Sequence, residues 1–411
     1  MVGPRRTAPL GVILERLPLN PDSGHDRERI DFQTNGDLTL GVEIELQLIE
    51  PATLNLAPRA PDILRRAADL PGLTEEFYLS TVEINSAKCA DVHAVSDDLS
   101  QTVGRLQAIT GDAGVLLSTT GCHPFARYAD CIITPTPRYH ELIDRNQWLT
   151  RRMTVFGMHV HLGMRSGDEC IRFNNFFLHV LPHLLALSAS SPFWQGEDTG
   201  LASCRPTTYE ALPTAGQPYM VESWREFETL CQTLKACDAI QSLKDLWWDL
   251  RPSPKIGTLE IRICDGLATM SETLAIVAYI HALAHWFRAH ESWLDQVPPP
   301  PRWLARENKW RAMRSGLDAK LITNLDGDVR PLRDDIVAWC ERISSSISAL
   351  GYEPYFETLQ QILTRGNSSM RQRDVAVRKG SLREVVAHNI AEFEGGSPIW
   401  GEHARAPADV A

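Results

Sequence analysis

Three strand-like segments of this chain alternate polar and apolar residues, and this alternation constrains the fold most strongly. The segments are Gly41–Leu46, Gly157–Gly163 and Thr258–Asp265. Because side chains i and i+2 of a β-strand point to the same face, each segment presents its polar residues on one side and its apolar residues on the other. Charged groups on a half-buried sheet are costly unless they bind a metal ion, an anion or one another. The pattern therefore predicts a sheet with one face in a core and one face forming an active site.

The first segment carries two carboxylates on its polar face, Glu43 and Glu45. Adjacent carboxylates repel unless a cation lies between them, and hard divalent ions such as Mg²⁺ prefer oxygen ligands. Glu83 lies in the next strand-like segment and adds a third carboxylate if the two strands pair, and Glu76 could supply a fourth from the preceding turn. The alternative for Glu43 and Glu45 alone is a solvated strand face.

The second segment carries an HxH pair, His159 and His161, which is a moderately specific metal signal. Either histidine could instead be a hydrogen-bonded residue lining the site, and for His161 this alternative is equally strong. Several glutamates and no cysteine accompany the pair, which favours Mg²⁺ or Mn²⁺ over a structural Zn²⁺ site.

The third segment places Glu260 beside Arg262, a candidate metal ligand beside a guanidinium that can hold a carboxylate or phosphate bidentately. The alternative is a structural salt bridge. Further basic residues close to these segments in sequence are Arg151, Arg152, Arg251 and Lys255. Arginines near a carboxylate-rich metal site predict a polyanionic substrate such as a nucleoside triphosphate. The chain has no GxxxxGK[ST] motif, so the sheet and its metals would have to hold the nucleotide.

Composition excludes several classes of protein. The net charge of −11 argues against nonspecific nucleic-acid binding. The longest apolar stretch, Thr273–Phe287, is shorter than the roughly 20 residues that cross a bilayer and predicts a buried helix. The nine cysteines are scattered without a CxxC pair, as is typical of a reduced protein. We therefore expect a cytoplasmic protein with neither nucleic acid nor membrane as a partner.

The chain is predicted to contain an α+β unit with a helical C-terminal part. The predicted parts are a flexible extension (1–36), a catalytic sheet domain (37–297), a mostly helical part of the same catalytic unit (302–394) and a tail (395–411). The proline run Pro298–Pro301 marks the connection between the two central parts. The Pro-rich segment Ser191–Met220 has little periodicity and predicts a surface or lid loop.

These segments, in this order, resemble the bacterial carboxylate–amine ligase family, also called glutamate–cysteine ligase type 2. The resemblance runs from about Leu38 to about Asn389. Further motifs that carry it are Val82–Ser86, Gly121–Phe125, Trp247–Pro254, Glu307–Arg311 and Arg365–Asn367. Each motif alone is modest evidence, but together they make a strong match. The sequence departs from the family at Leu79, where relatives often carry an acidic or amide residue, and at Met158, where a polar residue is common.

The resemblance implies a glutamine-synthetase-like α+β fold, in which a curved, mainly antiparallel β-sheet forms a funnel backed by helices. ATP and Mg²⁺, with Mn²⁺ as the alternative ion, would bind in this funnel. By position, the metal shell would comprise Glu43, Glu45, Glu83, His159 and Glu260. The nucleotide contacts would come from Glu43, Glu45, Arg151, Arg251, Lys255 and Arg262. Arg262 and Glu260 would be the catalytic residues, with Arg262 on the transferring phosphate.

The implied reaction begins when a substrate carboxylate, expected to be that of glutamate, attacks the γ-phosphate of ATP. The resulting acyl phosphate is then attacked by an amine, either cysteine or another. Two alternatives stay open: a metal-dependent amide hydrolase using the same Glu/His site, and a non-catalytic binding protein on the ligase scaffold. The sequence leaves open the acceptor amine and the oligomeric state, a homo-oligomer included.

Overall fold

The computed structural model describes residues 29–401, which build a large antiparallel sheet, three small sheets and a set of helices. The strands are β1 Leu40–Ile49, β2 Leu73–Glu75, β3 Thr81–Asn85, β4 Leu116–Ser118, β5 Met158–Gly163, β6 Phe193–Trp194, β7 Glu197–Asp198, β8 Ala215–Gly216, β9 Trp247–Trp248, β10 Leu250–Ser253, β11 Thr258–Ile261, β12 Lys320–Ile322 and β13 Val329–Pro331.

The helices lie between and after these strands. They are α1 Ala60–Arg66, α2 Val92–Asp112, α3 Pro137–Asn146, α4 Trp148–Arg151, α5 Gly167–Ser188, α6 Arg205–Tyr209, α7 Trp224–Ala236, α8 Met270–Ala289, α9 Trp293–Gln296, α10 Arg302–Ser315, α11 Leu332–Arg342, α12 Ser344–Leu350, α13 Glu353–Arg365, α14 Ser368–Lys379 and α15 Leu382–Gly395. Short 3₁₀ turns occur at Tyr128–Asp130, Leu243–Asp245 and Gly316–Asp318.

Strand β1 is the centre of the large sheet, whose strand order is β10-β11-β5-β1-β3-β2. One edge of β1 pairs with β3. The other edge pairs with β5 over Leu40–Ile44 and then with β4 over Gln47–Ile49. Every pairing in this sheet is antiparallel. The predicted α+β class with a mainly antiparallel sheet backed by helices is therefore confirmed.

The alternation predicted for β1 is present in the structure. Val42, Ile44 and Leu46 are buried, whereas Glu43 and Glu45 between them are only partly buried. The long helix α8 packs against α2 and α5, and all three helices pack against the sheet strands from the apolar side. Removing one large apolar side chain from such a core costs about 2–5 kcal/mol, so this packing fixes which face of the sheet remains free for chemistry.

Helix α8 is buried nearly all round, as predicted for Thr273–Phe287. Its N-cap is Thr269, whose hydroxyl accepts a hydrogen bond from the Glu272 backbone N–H at 3.2 Å. Among the residues that the structure describes, no helix is long and apolar enough to cross a membrane.

The C-terminal helices share the core of the sheet. Leu332 and Ile336 of α11 and Phe393 of α15 belong to the same hydrophobic cluster as Leu40 and Val42 of β1. The predicted division into a sheet domain and a helical part of one catalytic unit stays a prediction. Much of the predicted extension (1–28) and of the predicted tail (402–411) lies outside the described residues.

The prediction of a surface or lid loop over Ser191–Met220 is wrong for much of the segment, because Ser191, Ser203 and Arg205 are all buried. The buried carboxylate of Asp265 holds this stretch. Its Oδ2 accepts a hydrogen bond from Ser191 Oγ at 2.7 Å, and its Oδ1 accepts one from Ser203 Oγ at 2.9 Å. Buried polar groups need such partners, so a segment without periodicity can still be packed tightly.

A buried ion triad joins helix α8 to the consecutive helices α14 and α15, about 100 residues further along the chain. Arg371 of α14 donates to Glu272 of α8 at 2.7 and 2.8 Å and to Glu392 of α15 at 2.6 Å. All three side chains are almost completely buried. Because two carboxylates depend on one guanidinium, the triad links the helical part of the chain to the helix that backs the sheet.

We expect Arg371→Gln to lower the free energy of unfolding by about 3–5 kcal/mol, because it removes the guanidinium that pairs with two buried carboxylates. Urea denaturation at neutral pH measures the change. The matched control is Arg378→Gln in the same helix, which removes a partly exposed pair with Asp374 and should cost no more than about 1 kcal/mol. Equal losses in the two variants would contradict a structural role for the triad.

Candidate active site

The strand register brings most of the predicted site residues onto one face of the sheet. The directly opposed cross-strand pairs are Glu43 and His159, Glu45 and Glu83, His161 and Glu260, and Arg251 and Glu260. Side chains directly opposite each other in an antiparallel pair have Cβ atoms about 4.5–5.5 Å apart. Five strands therefore concentrate their charged side chains in one patch, opposite the apolar core.

Glu43 lies between the two imidazoles of the HxH pair. Its Oε2 is 3.0 Å from His159 Nδ1, and its Oε1 is 3.0 Å from His161 Nε2. Burial alone would raise the pKa of Glu43, but the hydrogen bonds with both histidines outweigh it, so the pKa lies well below its usual value. The other ring nitrogen of His161 is 2.9 Å from Thr258 Oγ1. Glu43 is therefore an ionised carboxylate held in a fixed orientation.

Glu260 is buried between two guanidinium groups. Arg251 donates through Nε to Glu260 Oε2 at 2.8 Å and through Nη2 to Oε1 at 3.0 Å, and Arg262 Nη1 also pairs with Oε1. Burial would raise the pKa of Glu260, but Arg251 and Arg262 lower it well below its ordinary value. The salt bridge considered as an alternative for Glu260 and Arg262 is present. It also fixes the orientation of the Arg262 side chain.

A second group of carboxylates lies at the β3 side of the face. Glu45, Glu76 and Glu83 each place a carboxylate oxygen within 4.8 Å of the other two. Burial and the neighbouring Glu45 raise the pKa of Glu76 to about 7. Burial and the neighbouring Glu76 raise the pKa of Glu83 well above its usual value. Three carboxylates this close repel one another strongly unless a cation lies among them.

The residues on this face fit divalent cations. Candidate ligand groups in the described part of the chain also include Glu43 with His161 and Glu260, and Glu43 with Glu83 and His159. The donors are carboxylate oxygens and imidazole nitrogens without any thiol, which suits hard ions such as Mg²⁺ or Mn²⁺. His159 Nε2 is buried and has no hydrogen-bond partner in the described part of the chain, as expected for an atom that binds something else.

Two predicted nucleotide contacts lie apart from this patch. Lys255 is exposed in the turn between β10 and β11, and Arg151 is exposed at the end of α4. Neither side chain lines the cavity beside the patch, and their contacts with a nucleotide stay predictions.

A cavity opens beside the carboxylates and has a largely aromatic wall. Its lining includes Glu45, Glu76, Arg262, Arg205 and the rings of Phe77, Tyr78, Tyr209, Trp247 and Trp248. Sequence reasoning missed Arg205 and Tyr209, because both lie in the segment predicted to be a surface loop. No local spacing marks them, and the Trp247–Pro254 motif was the only sequence signal for this wall.

The sequence comparisons indicate the same family along nearly the whole chain. A family model described as "Glutamate-cysteine ligase family 2" matches residues 39–388. A protein of Bdellovibrio bacteriovorus named "Putative glutamate--cysteine ligase 2" is 44% identical over 367 residues, covering 89% of this chain and 97% of the relative. A protein of Gloeobacter violaceus with the same name is 41% identical over 362 residues, covering 87% of this chain and 97% of the relative.

Solved structures share the fold at low sequence identity. The glutamate–cysteine ligase from Francisella tularensis, in complex with AMP, superposes with a TM-score of 0.65 at 12% identity, covering 88% of this chain and 90% of that one. A bifunctional glutathione synthetase from Pasteurella multocida gives a TM-score of 0.63 at 15% identity, covering 87% of this chain and 52% of that one. At these identities the likeness shows the fold alone.

We expect Glu76→Gln to stabilise the metal-free protein at pH 8 but not at pH 5. The pKa of Glu76 rises from 4.5 to about 7 on folding, so the folded state favours the protonated form and loses stability as pH rises through that interval. Glutamine stays neutral and avoids this loss. Thermal denaturation in a chelator from pH 5 to pH 8 measures the difference from wild type.

The matched control is Glu75→Gln at the neighbouring exposed position. A gain in thermal stability that is equal at both pH values would contradict the burial of a carboxyl group at Glu76. The same gain in Glu75→Gln would also contradict it.

Proposed function

We propose the function of this chain from its family, since the chain belongs to glutamate–cysteine ligase family 2. The protein is an ATP-dependent carbon–nitrogen ligase that joins a carboxylate to an amine. We propose that the acid is glutamate, which reacts through its γ-carboxylate, and that the amine is cysteine or another small amine. The observation that carries the proposal is the face on which Glu43 joins two histidines beside the Glu260–Arg262 pair.

The proposed cofactor is Mg²⁺, with Mn²⁺ as the alternative ion. The residues that would hold it are Glu43, Glu45, Glu76, Glu83, His159 and Glu260. Such ions neutralise the charge on the phosphate oxygens of a nucleotide. These side chains form overlapping groups on one face of the sheet. Such a layout suits more than one ion beside a triphosphate.

Arg262 is the proposed contact with the transferring phosphoryl group. Its guanidinium is fixed by Glu260 and lines the cavity beside the carboxylates. In the proposed reaction a carboxylate oxygen of the acid attacks the γ-phosphorus and ADP leaves, which gives an acyl phosphate. A preorganised guanidinium stabilises the charge that develops on the phosphoryl oxygens without moving during the step.

The second step needs a cavity that admits an amine and excludes water. The amine nitrogen attacks the acyl carbon, the carbon–nitrogen bond forms, and inorganic phosphate leaves. The walls include buried rings, Tyr78, Tyr209 and Trp248, which leave little room for solvent around the reacting group. This environment supports ligation over hydrolysis of the intermediate.

The experiment that tests this function is ADP release from ATP in the presence of Mg²⁺, glutamate and a panel of amines that includes cysteine. We expect ADP release that depends on both glutamate and one amine, together with an amide product of matching mass. Metal-dependent hydrolysis of amides without ATP would support the hydrolase instead. If no combination of glutamate and an amine releases ADP, then either glutamate is not the acid substrate or the protein does not catalyse ligation.

We expect Arg262→Lys to fold and to bind Mg²⁺ as wild type does, but to release ADP roughly 10² to 10³-fold more slowly. Lysine keeps the charge and loses the bidentate contact with phosphate. The matched control is Arg330→Lys, an exposed residue whose partner is Asp335. Unchanged ADP release in Arg262→Lys would remove Arg262 from the mechanism.

A further inference from the structure

The Glu307–Arg311 motif places a charged side chain in the interior of the protein. Lys309 lies on α10, and its side chain is only 3% exposed. A buried ammonium group is costly unless carboxylates pair with it. Lys309 Nζ lies 2.5 Å from Asp249 Oδ2, and it also pairs with Glu210. The motif therefore contributes a cation that is held by two carboxylates from other segments of the chain.

Asp249 joins Lys309 to the wall of the candidate cavity. It is completely buried, and its Oδ1 accepts a hydrogen bond from the Tyr209 hydroxyl at 2.8 Å. Its backbone N–H donates to the Gly216 oxygen at 2.8 Å, and its backbone oxygen accepts from the Arg262 N–H at 2.8 Å. The backbone thus fixes Asp249 beside the end of the strand that leads to Arg262.

Tyr209 presents its ring to the cavity and its hydroxyl to Asp249. The ring lines the same cavity as Arg262, and the residue is 6% exposed. Burial, together with the nearby Asp249, raises the pKa of the Tyr209 hydroxyl well above its usual value, so the hydroxyl keeps its proton and donates it. Lys309 Nζ lies 5.8 Å from the centre of the ring. Its other partner, Glu210, directly follows Tyr209 in the chain.

The charge of Lys309 decides how firmly this ring is held. A hydrogen bond to an ionised carboxylate is stronger than one between neutral groups. Removing the ammonium group takes away the cation that pairs with Asp249, and a buried carboxylate in that state attracts water or a proton. The Tyr209 hydroxyl then loses an acceptor of fixed charge and position, and the ring becomes free to move.

We propose that Lys309 is a positioning residue, which acts through Asp249 to hold the Tyr209 ring as a wall that keeps water from the acyl phosphate. This inference rests on the proposed ligase function and gives α10 a part in the selection of amine over water. Water that attacks the acyl carbon forms a carbon–oxygen bond and breaks the bond from carbon to the phosphate oxygen. The products are the free acid, inorganic phosphate and a proton, so ATP is consumed without an amide.

The ratio of amide formed to ATP hydrolysed without amide measures this selection. Wild type and Lys309→Met are supplied with ATP, Mg²⁺, glutamate and the amine that gives wild type its fastest ADP release, and both products are quantified. Methionine keeps an unbranched side chain and removes the charge. We expect the ratio to fall roughly tenfold in the variant, with ADP release within about threefold of wild type.

Two further variants separate positioning from a general loss of stability. Tyr209→Phe keeps the ring and removes the hydroxyl, and it should lower the ratio as Lys309→Met does. The double variant should lose no more than Tyr209→Phe alone, because Lys309 acts through that hydroxyl. Arg371→Gln removes another buried cation that is outside the cavity lining, and it should keep the wild-type ratio below its melting temperature.

A second measurement follows the Tyr209 ring without turnover. The full chain is produced with 3-fluorotyrosine in place of tyrosine, and the fluorine resonance that is missing from Tyr209→Phe belongs to Tyr209. We expect this resonance to shift or broaden in Lys309→Met, because the ring is no longer held. It should keep its position in Arg371→Gln.

Each outcome decides the proposal. An unchanged ratio in Lys309→Met, or a further loss in the double variant, would overturn it, and so would an unchanged Tyr209 resonance. A higher KM for glutamate at an unchanged ratio would assign the contact to acid binding instead. If Lys309→Met does not fold, the ratio in Tyr209→Phe decides in the same way.

Failure of the proposed function gives a different result from failure of this inference. A wild type that releases no ADP with glutamate and any amine contradicts the ligase function. The Tyr209 resonance still shows in that case whether Lys309 holds the ring. A wild type that forms the amide, together with a Lys309→Met variant of unchanged ratio, leaves the ligase function standing and removes Lys309 from it.

Discussion

The antiparallel pairing of β1 with β5, and of β5 with β11, is the constraint on which the site depends. This register sets Glu43 opposite His159 and His161 opposite Glu260. A slip of one residue would move every one of these side chains to the core face and bring apolar residues to the site. The packing of α2, α5 and α8 against the apolar face therefore also fixes the chemistry on the other face.

Negative and positive side chains are distributed unevenly across this face. Carboxylates outnumber the cations that pair with them near β3, where burial and mutual repulsion raise the pKa of Glu76 and Glu83. At the β11 side two arginines surround Glu260 and lower its pKa. The β3 end of the face is therefore richer in negative charge than the β11 end, where Arg251 and Arg262 balance Glu260.

Much of this could be predicted from local patterns. The strands near Glu43, His159 and Glu260 were predictable because strand parity is a property of neighbouring residues, and the buried α8 was predictable from its composition. The segment after Ser190 was mispredicted because its order comes from Asp265, about 70 residues away, and not from its own periodicity. A single-sequence pattern cannot report such a contact.

The sequence by itself determined which side chains share a face of each strand, and hence that glutamates, histidines and an arginine would line a surface together. It also determined the family, since motifs spread along the chain preserve their order. Only the tertiary structure decided which strands are neighbours, that Glu43 joins both histidines, and that Arg205 lies buried beside the cavity. The physical reason is range: side-chain alternation acts over two residues, whereas charge pairing and burial depend on chain segments that meet only after folding.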